Sequence, residues 1–470
     1  MIIVSTFLLL LYFGFYALVF RQMLKANFHF VLIYVLVCFP VYTLLLAIIY
    51  DGFESAALVK LIQYTKELLI FSALGLWIFG QKNVLKREWY ISTLDYCFIA
   101  FVALGGVFLL LGTGNATRVN QAIYFKNILL IAVFYFLGRN LKIDTVSWHK
   151  LFKIVFGMTI LACALVSLEK IAGVHFHSLI GYAKYNLAIK DIDPAGVFGL
   201  TYTFEAQGGK PRYAAFFANP LELSASMLIS LSAGLIYFLY VKYRDNKLKY
   251  LGFILAAFIC VLFAYSRASF VTIFLMLIFM AFLLRYYKIL KVTLVLGFGL
   301  TVFILIFASE ELKYFVIDTI RFENSSSVTH VLDWLKAIES MISNPEGIGL
   351  AMSGNAGGVE RDLIVGGENQ YLIYGVQMGV LGMILYILML SIGIRNSWRA
   401  FRGSKNKEEG IIPFVAASVK FGLLLPLFTA NAEAYIYVAL FSWWLIGYSE
   451  SKYQKQLEQS AFSQKYQTVI

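Results

Sequence analysis

The feature that constrains this chain most is a series of long stretches almost free of charge. Met1 to Phe20, Phe28 to Tyr50 and Leu221 to Val241 are such stretches. Each holds roughly twenty residues, the length that crosses a hydrocarbon layer of about 30 Å at about 1.5 Å per residue. The 470 residues are 60% hydrophobic and only 14% charged, more apolar side chain than a soluble fold of that size can enclose. Lipid is therefore the expected solvent.

The first stretch has no basic residue before it. Its end, Tyr16 to Gln22, lacks the small-residue pattern of a cleavage site, so it reads as a retained span. Cys38, Cys97, Cys163 and Cys260 all fall inside apolar runs, where they act as small hydrophobes and offer neither a disulfide framework nor a CxxC pair. The net charge of +12 is spread in short clusters between the runs. That is the pattern of topology signals, and nucleic acid is not an expected partner.

Counting each run as a crossing gives about thirteen, at roughly 1–20, 28–50, 67–80, 91–112, 121–138, 151–169, 220–241, 250–265, 268–285, 292–309, 370–394, 411–429 and 434–449. Alternate connections are basic, as in Arg21/Lys25, Lys82/Lys86/Arg87, Lys242/Arg244/Lys247/Lys249 and Arg395/Arg399/Arg402, and together they hold the larger share of the 39 Lys and Arg. That side is cytoplasmic by the positive-inside rule, which puts the N-terminus outside and the C-terminus inside. The expected fold is an all-α polytopic integral membrane protein: one membrane domain over 1–470, a first outer loop at 170–218, a large partly helical outer loop at 310–369 and a cytoplasmic tail at 450–470. The short basic connections leave no room for a nucleotide-binding domain and no GxxxxGK[ST] occurs, which excludes a single-chain ATP-driven pump.

Loops as long as the two outer ones are usually functional or disordered. In the second, Val328, Val331, Leu332, Leu335, Ile338 and Ile342 recur at helical spacing, which predicts an amphipathic helix on the outer surface. Gly347, Gly349, Gly354, Gly357, Gly358, Gly366 and Gly367 follow without the spacing of a phosphate loop, so they read as permission for a tightly turning backbone.

Arg212 precedes a helix start written Asn219-Pro220-Leu221-Glu222, with Asn as N-cap, Pro in the first turn and Glu closing a capping box. Arg267 sits in Tyr265-Ser266-Arg267-Ala268-Ser269, all that separates two spans. A guanidinium beside a helix N-terminus is an anion site, because the free N–H groups and the helix dipole add to its charge; snorkelling to lipid headgroups is the alternative for both. Arg321 and Arg361 can complete a cationic bowl or simply be solvated. Glu368, in Gly366-Gly367-Glu368-Asn369-Gln370-Tyr371, is a candidate general base, with capping of the next span as the alternative role for this stretch. Lys420 lies deep in its span and calls for an ion-pair partner, with Glu222 and Glu433 both available. Asp191-Ile192-Asp193 has a DxD spacing next to a turn-forming Pro194, and His175 and His177 lack a third metal ligand and read as surface residues.

Arg-Tyr-Ala-Ala-Phe-Phe-Ala-Asn-Pro (212–220), Tyr-Ser-Arg-Ala-Ser (265–269), Arg321 with Trp334, Asn-Pro-Glu-Gly-Ile-Gly (344–349), Glu-Asn-Gln-Tyr-Leu (368–372) and Met-Gly-Val-Leu-Gly (378–382) follow one another in an order that resembles the O-antigen polymerase and O-antigen ligase superfamily. The resemblance covers roughly residues 200–390. It implies a glycosyltransferase of the bacterial inner membrane that needs no metal, nucleotide sugar or other cofactor. Donor and acceptor would be undecaprenyl-diphosphate-linked oligosaccharides, elongated at the periplasmic face into O-antigen or capsule-type polysaccharide, and a chain-length regulator is an implied partner beside membrane lipid. Arg212, Arg267 and, less closely matched, Arg321 would hold the diphosphate, and Glu368 would deprotonate the acceptor. Arg361, Asn369, Tyr371 and Asn219 join Arg321 as candidate substrate contacts. Ligases of the family show His-Asn where this chain has Glu368-Asn369, which favours a polymerase over a ligase. From another class, a lipid-linked saccharide flippase or transporter also fits many spans and an intramembrane lysine. It is disfavoured by the lack of an internal repeat and by polar features gathered on one outer face.

Overall fold

The computed structural model describes residues 1–80, 91–141, 143–206, 209–240, 247–307, 325–354 and 363–467, together with 313, 317 and 359. Long helices dominate them, as the charge-free runs require. In chain order they are α1 (Ile2–Leu24), α2 (His29–Phe53), α3 (Ala56–Phe79), α4 (Thr93–Leu111), α5 (Arg118–Asn140), α6 (Thr145–Ala172), α7 (Tyr182–Lys190), α8 (Pro220–Tyr240), α9 (Leu248–Phe263), α10 (Arg267–Leu284), α11 (Tyr287–Phe307), α12 (Ser325–Ser343), α13 (Gln370–Arg402), α14 (Lys407–Thr429) and α15 (Ile436–Gln467). Among the described residues, ten helices are long and apolar enough to cross a membrane, and α9 is apolar but shorter. The fold is that of an all-α multi-pass membrane protein. Each predicted span coincides with a helix. In extent α3 begins at Ala56 rather than near residue 67, so Lys60 and Lys66 lie within it, and α13 and α15 run past their predicted ends.

Small residues let the central helices meet backbone to backbone. A Cβ on Gly138 of α5 would fall 2.1 Å from the Trp444 carbonyl oxygen, and one on Gly447 of α15 would fall 2.0 Å from that of Tyr135. Such reciprocal close approach is how helices associate where lipid supplies no hydrophobic drive. Around the crossing Phe134, Trp443 and Trp444 are fully buried.

The helix predicted in the second outer loop is present as α12. Its orientation differs from that of an apolar face turned to the protein: Val328, Leu332, Leu335, Ile338 and Ile342 are exposed, and Ala337 and Met341 pack on Val376 of α13. The tight residues Gly375 and Gly366 explain this, since a Cβ on either would strike Met341 or Ala337.

Helix α13 breaks inside its apolar run, at Met378 and Gly379, where the backbone leaves helical angles. The break frees carbonyls that must find donors. Ile348 N–H donates to Val376 O at 2.9 Å, Gly349 N–H to Gln377 O at 3.1 Å, and Val380 N–H to Pro345 O at 2.9 Å. The Gln377 amide closes the joint by accepting from Ala351 N–H and donating to Ser353 O. A side chain at Gly347 or Gly379 would meet backbone at about 2.4–2.5 Å, so two glycine-bearing motifs dock on each other directly.

The segment read as the first outer loop is compact rather than a simple loop. It contains α7 and a short antiparallel hairpin, β1 (Glu205–Ala206) with β2 (Lys210–Pro211). His175 and His177 are buried there, at 2% and 0% exposure, and do not lie on the surface as their sequence context suggested. Phe198, Phe204, Tyr213 and Tyr182 surround their rings, and His177 Nε2 lies 2.8 Å from Phe217 O. Burial holds both imidazoles below their usual value, at about 4 and about 3. Helix α15 continues to Gln467, through the residues read as a tail.

Candidate functional site

The loop from Arg212 to Pro220 is fixed from three sides. Arg212 N–H donates to Phe204 O at 2.8 Å, and Tyr213 N–H to Phe263 O at 3.1 Å, at the end of α9. Glu169, buried near the end of α6, accepts from Phe176 N–H at 2.8 Å and Ala215 N–H at 3.0 Å. Ala215 is left in the left-handed region, at φ 51°. Tyr265, beside the second arginine, is there too, at φ 46°. Non-glycine residues in that region cost about 1–3 kcal/mol and gather where function demands a fixed backbone.

The bond to Phe263 brings the Arg212 loop against the start of α10. There Ser266 caps the helix by accepting from Ser269 N–H, and the Ser266, Ser269 and Ser224 hydroxyls form a buried chain. Arg212 and Arg267 lie close enough that the Arg267 charge, after burial, contributes to lowering the Arg212 guanidinium to about 10. Two like charges are thus held together in a half-buried setting. Arg212 Nε is buried and has no hydrogen-bond partner. A buried donor left in this way costs about 1–3 kcal/mol unless a ligand accepts from it.

Tyr435, in the connection between α14 and α15, joins this pair to the carboxylates. Its buried phenol feels Glu222, Glu368 and Arg212, and burial, then those carboxylates, raises it. Glu368 is half-exposed at the start of α13 and pairs with Nδ1 of His330 on α12. Asp333, one turn on, has its carboxyl raised by burial and then by the Glu368 charge. Gly366 seats the segment that carries Glu368 on α12, where a Cβ would fall 3.0 Å from Asp333 O.

Tyr435 thus lies within electrostatic reach of both Arg212 and Glu368. The other predicted residues divide. Asn369 Oδ1 accepts from Tyr371 N–H and Leu372 N–H, so it is the N-cap of α13. Tyr371 donates its hydroxyl to Leu424 O at 3.1 Å. Asn219 caps α8 by accepting from Glu222 N–H. Glu222 does not close a capping box back to Asn219; its carboxylate faces the N–H groups of Ala218 and Tyr437 instead. Arg321 and Arg361 lie outside the described residues.

Lys420 has chosen Glu433. The ammonium is fully buried, 3.4 Å from Glu433 Oε1, 3.1 Å from Ser442 Oγ and 3.7 Å from the centre of the Trp443 ring. Tyr386 and Trp443 donate to the same carboxylate. Every group there is spoken for.

Sequence reasoning passed over Tyr435, His330 and Glu169. His330 had a visible signal, a titratable residue one turn from Asp333 on the polar face of the predicted amphipathic helix. Tyr435 had none, because one tyrosine among 30 carries no spacing. No group of three or more metal-ligating side chains occurs among the described residues. No family model and no curated protein matches the chain.

Proposed function

We propose that the chain is a glycosyltransferase of the bacterial cytoplasmic membrane that joins undecaprenyl-diphosphate-linked oligosaccharide repeat units into surface polysaccharide. On this reading it crosses the bilayer about thirteen times, with the N-terminus outside and the C-terminus in the cytoplasm. The observation that carries the reading is the Arg212/Arg267 pair. Two adjacent guanidiniums, one with an idle buried donor, suit a diphosphate that gains charge as it leaves.

In the proposed step an acceptor hydroxyl attacks the anomeric carbon of the donor saccharide. The carbon–oxygen bond to the diphosphate breaks, and its electron pair departs with the diphosphate onto Arg212 and Arg267. The hydroxyl proton passes to Glu368, which His330 orients as a positioning residue. The lipid diphosphate already provides the activation, so the step needs no nucleotide.

Purified full-length protein, reconstituted with lipid-linked repeat units, tests this. Chain elongation without nucleotide is the expected result. Transfer of the saccharide across the vesicle without elongation would instead identify a flippase, and neither event would overturn both readings.

A further inference from the structure

Between α7 and β1 the chain folds around an open cavity of about 500 Å³ that the proposed step leaves unused. It is lined by Ile192, Asp193, Ala195, Thr201, Tyr202 and Thr203. Clefts that hold small ligands measure about 300–1,000 Å³. Hydrogen bonds fix the two walls, 192–195 and 201–203, in place. Gly196 N–H donates to Leu200 O at 2.8 Å and Gly199 N–H to Gly196 O at 3.0 Å, which closes the turn between the walls. A Cβ on Gly196 would fall 2.6 Å from Leu200 O, so only glycine lets the turn close this tightly. Ile192 N–H donates to Asn186 O at 3.0 Å, and Val197 N–H to the Glu205 carboxylate at 3.0 Å. Leu200 and Phe204, both buried, anchor the second wall in the protein. The cavity is therefore preformed.

Its lining is of three kinds. Tyr202 brings an aromatic ring that is 66% exposed, an unusual position for so large an apolar surface outside lipid. The Thr201 and Thr203 hydroxyls lie 2.8 Å apart, so one proton is spent between them while a second donor and several lone pairs stay free. Of the Asp191-Ile192-Asp193 spacing only Asp193 lines the cavity, and its exposed carboxylate accepts through two oxygens. No lysine or arginine lines it, which disfavours an anion. An inorganic cation would meet a single carboxylate, and an organic ammonium would leave the free threonine donor unused. A sugar ring uses every part: its C–H faces suit the aromatic ring, and its hydroxyls both donate to a carboxylate and accept from a threonine. Phe204, which follows the second wall, accepts from Arg212 N–H at 2.8 Å, so one residue joins this cavity to the arginine loop.

We propose that the cavity is a saccharide subsite, in which Tyr202 carries the face of a neutral sugar ring while Asp193, Thr201 and Thr203 bind its hydroxyls. That this sugar belongs to a lipid-linked substrate rests on the reading above; that the cavity takes a sugar does not.

Saturation-transfer NMR on the full-length protein in lipid nanodiscs tests it, with the oligosaccharide released by mild acid from the cell's own lipid-linked repeat units as probe. Tyr202→Ala is expected to weaken binding about tenfold and Asp193→Asn several-fold, both at unchanged unfolding temperature because both side chains are exposed. Tyr202→Phe keeps the ring and is expected to bind like the unaltered chain, as is Arg267→Ala. If the oligosaccharide does not bind, if neither Tyr202→Ala nor Asp193→Asn weakens it, or if Arg267→Ala abolishes it, the subsite is overturned. Tetramethylammonium bound at Tyr202 and Asp193 in place of the oligosaccharide would overturn it likewise, in favour of a cation. Binding that depends on Tyr202 in a chain that never elongates keeps the subsite and discards the polymerase reading. Elongation by a chain whose binding ignores Tyr202 and Asp193 does the reverse.

Discussion

Lys420 with Glu433 and Arg212 with Arg267 are both pairs of charged groups set against apolar helices, but only the second contains a buried donor without a partner, Arg212 Nε. Around Glu433 a lysine, a tyrosine hydroxyl and an indole N–H all converge. Around Arg212 the charge that acts on the guanidinium is that of another arginine, and a buried donor stays idle. The difference separates two reasons for placing charge in a membrane protein. A satisfied pair specifies how α13, α14 and α15 fit together, whereas on the proposed reading like charges beside strained turns await a ligand.

The largest expected effect belongs to the complete cluster. Lys420→Ala leaves Glu433 buried without its counter-ion and is expected to cost about 3–5 kcal/mol, read as a lower unfolding temperature and poor recovery from membranes. Lys420→Met with Glu433→Gln is expected to restore most of that loss, because the glutamine still accepts from Tyr386 and Trp443. If the double variant is as unstable as the single one, the cluster is not the closed unit described.

Glu169 is the intermediate case, a satisfied carboxylate that holds an unsatisfied site in place. Glu169→Gln turns one acceptor into a donor facing Phe176 or Ala215 N–H and is expected to destabilise by about 1–3 kcal/mol. It also loosens the Arg212 loop, so KM for the lipid-linked donor is expected to rise more than kcat falls. An unchanged KM would detach Glu169 from the site.

A smaller effect follows from the idle donor itself. Inorganic diphosphate at ten times its dissociation constant is expected to stabilise the protein by about 1.4 kcal/mol. The shift should shrink in Arg212→Gln and stay intact in Lys420→Met with Glu433→Gln. Equal shifts in all three proteins would erase the distinction between the clusters.

An effect that appears only on acidification concerns the histidines beneath the Arg212 loop. His175 and His177 are held neutral by burial, with folded values of about 4 and about 3. Their contribution to stability is therefore full above about pH 6.5 and is lost as pH falls toward those values. Hydrogen exchange of residues 173–218 is expected to quicken between pH 6.5 and 4, ahead of the helical core. Exchange independent of pH over that window would contradict their buried, neutral placement.

Much of the helical frame was legible because lipid imposes a length and an apolar composition that few other constraints mimic. The Asn219-Pro220 helix start and the helix around Val328 to Ile342 were legible from capping and period. The break at Met378 and Gly379 was not, since its cost is met by residues thirty positions earlier, Pro345 to Gly349, and nothing local marks it. The first turns of α3 were missed because Lys60 and Lys66 look like loop until other elements surround them. In the candidate site, arginines at span boundaries stood out as charges that lipid does not tolerate freely. Asn219, Asn369 and Tyr371 stood out too, but their polar atoms hold helix ends and a neighbouring carbonyl. Chemical type alone does not separate these roles, which are set by where the backbone leaves its donors.

The most direct test of the account is polymerisation per folded molecule in Arg267→Ala and Glu368→Gln, with membrane level and unfolding temperature measured on the same samples. A loss of at least about a hundredfold in both, at unchanged folding, is the predicted result. Two variants that still build long polysaccharide at the normal rate would show that the open arginine pair and its carboxylate are not where the chemistry occurs.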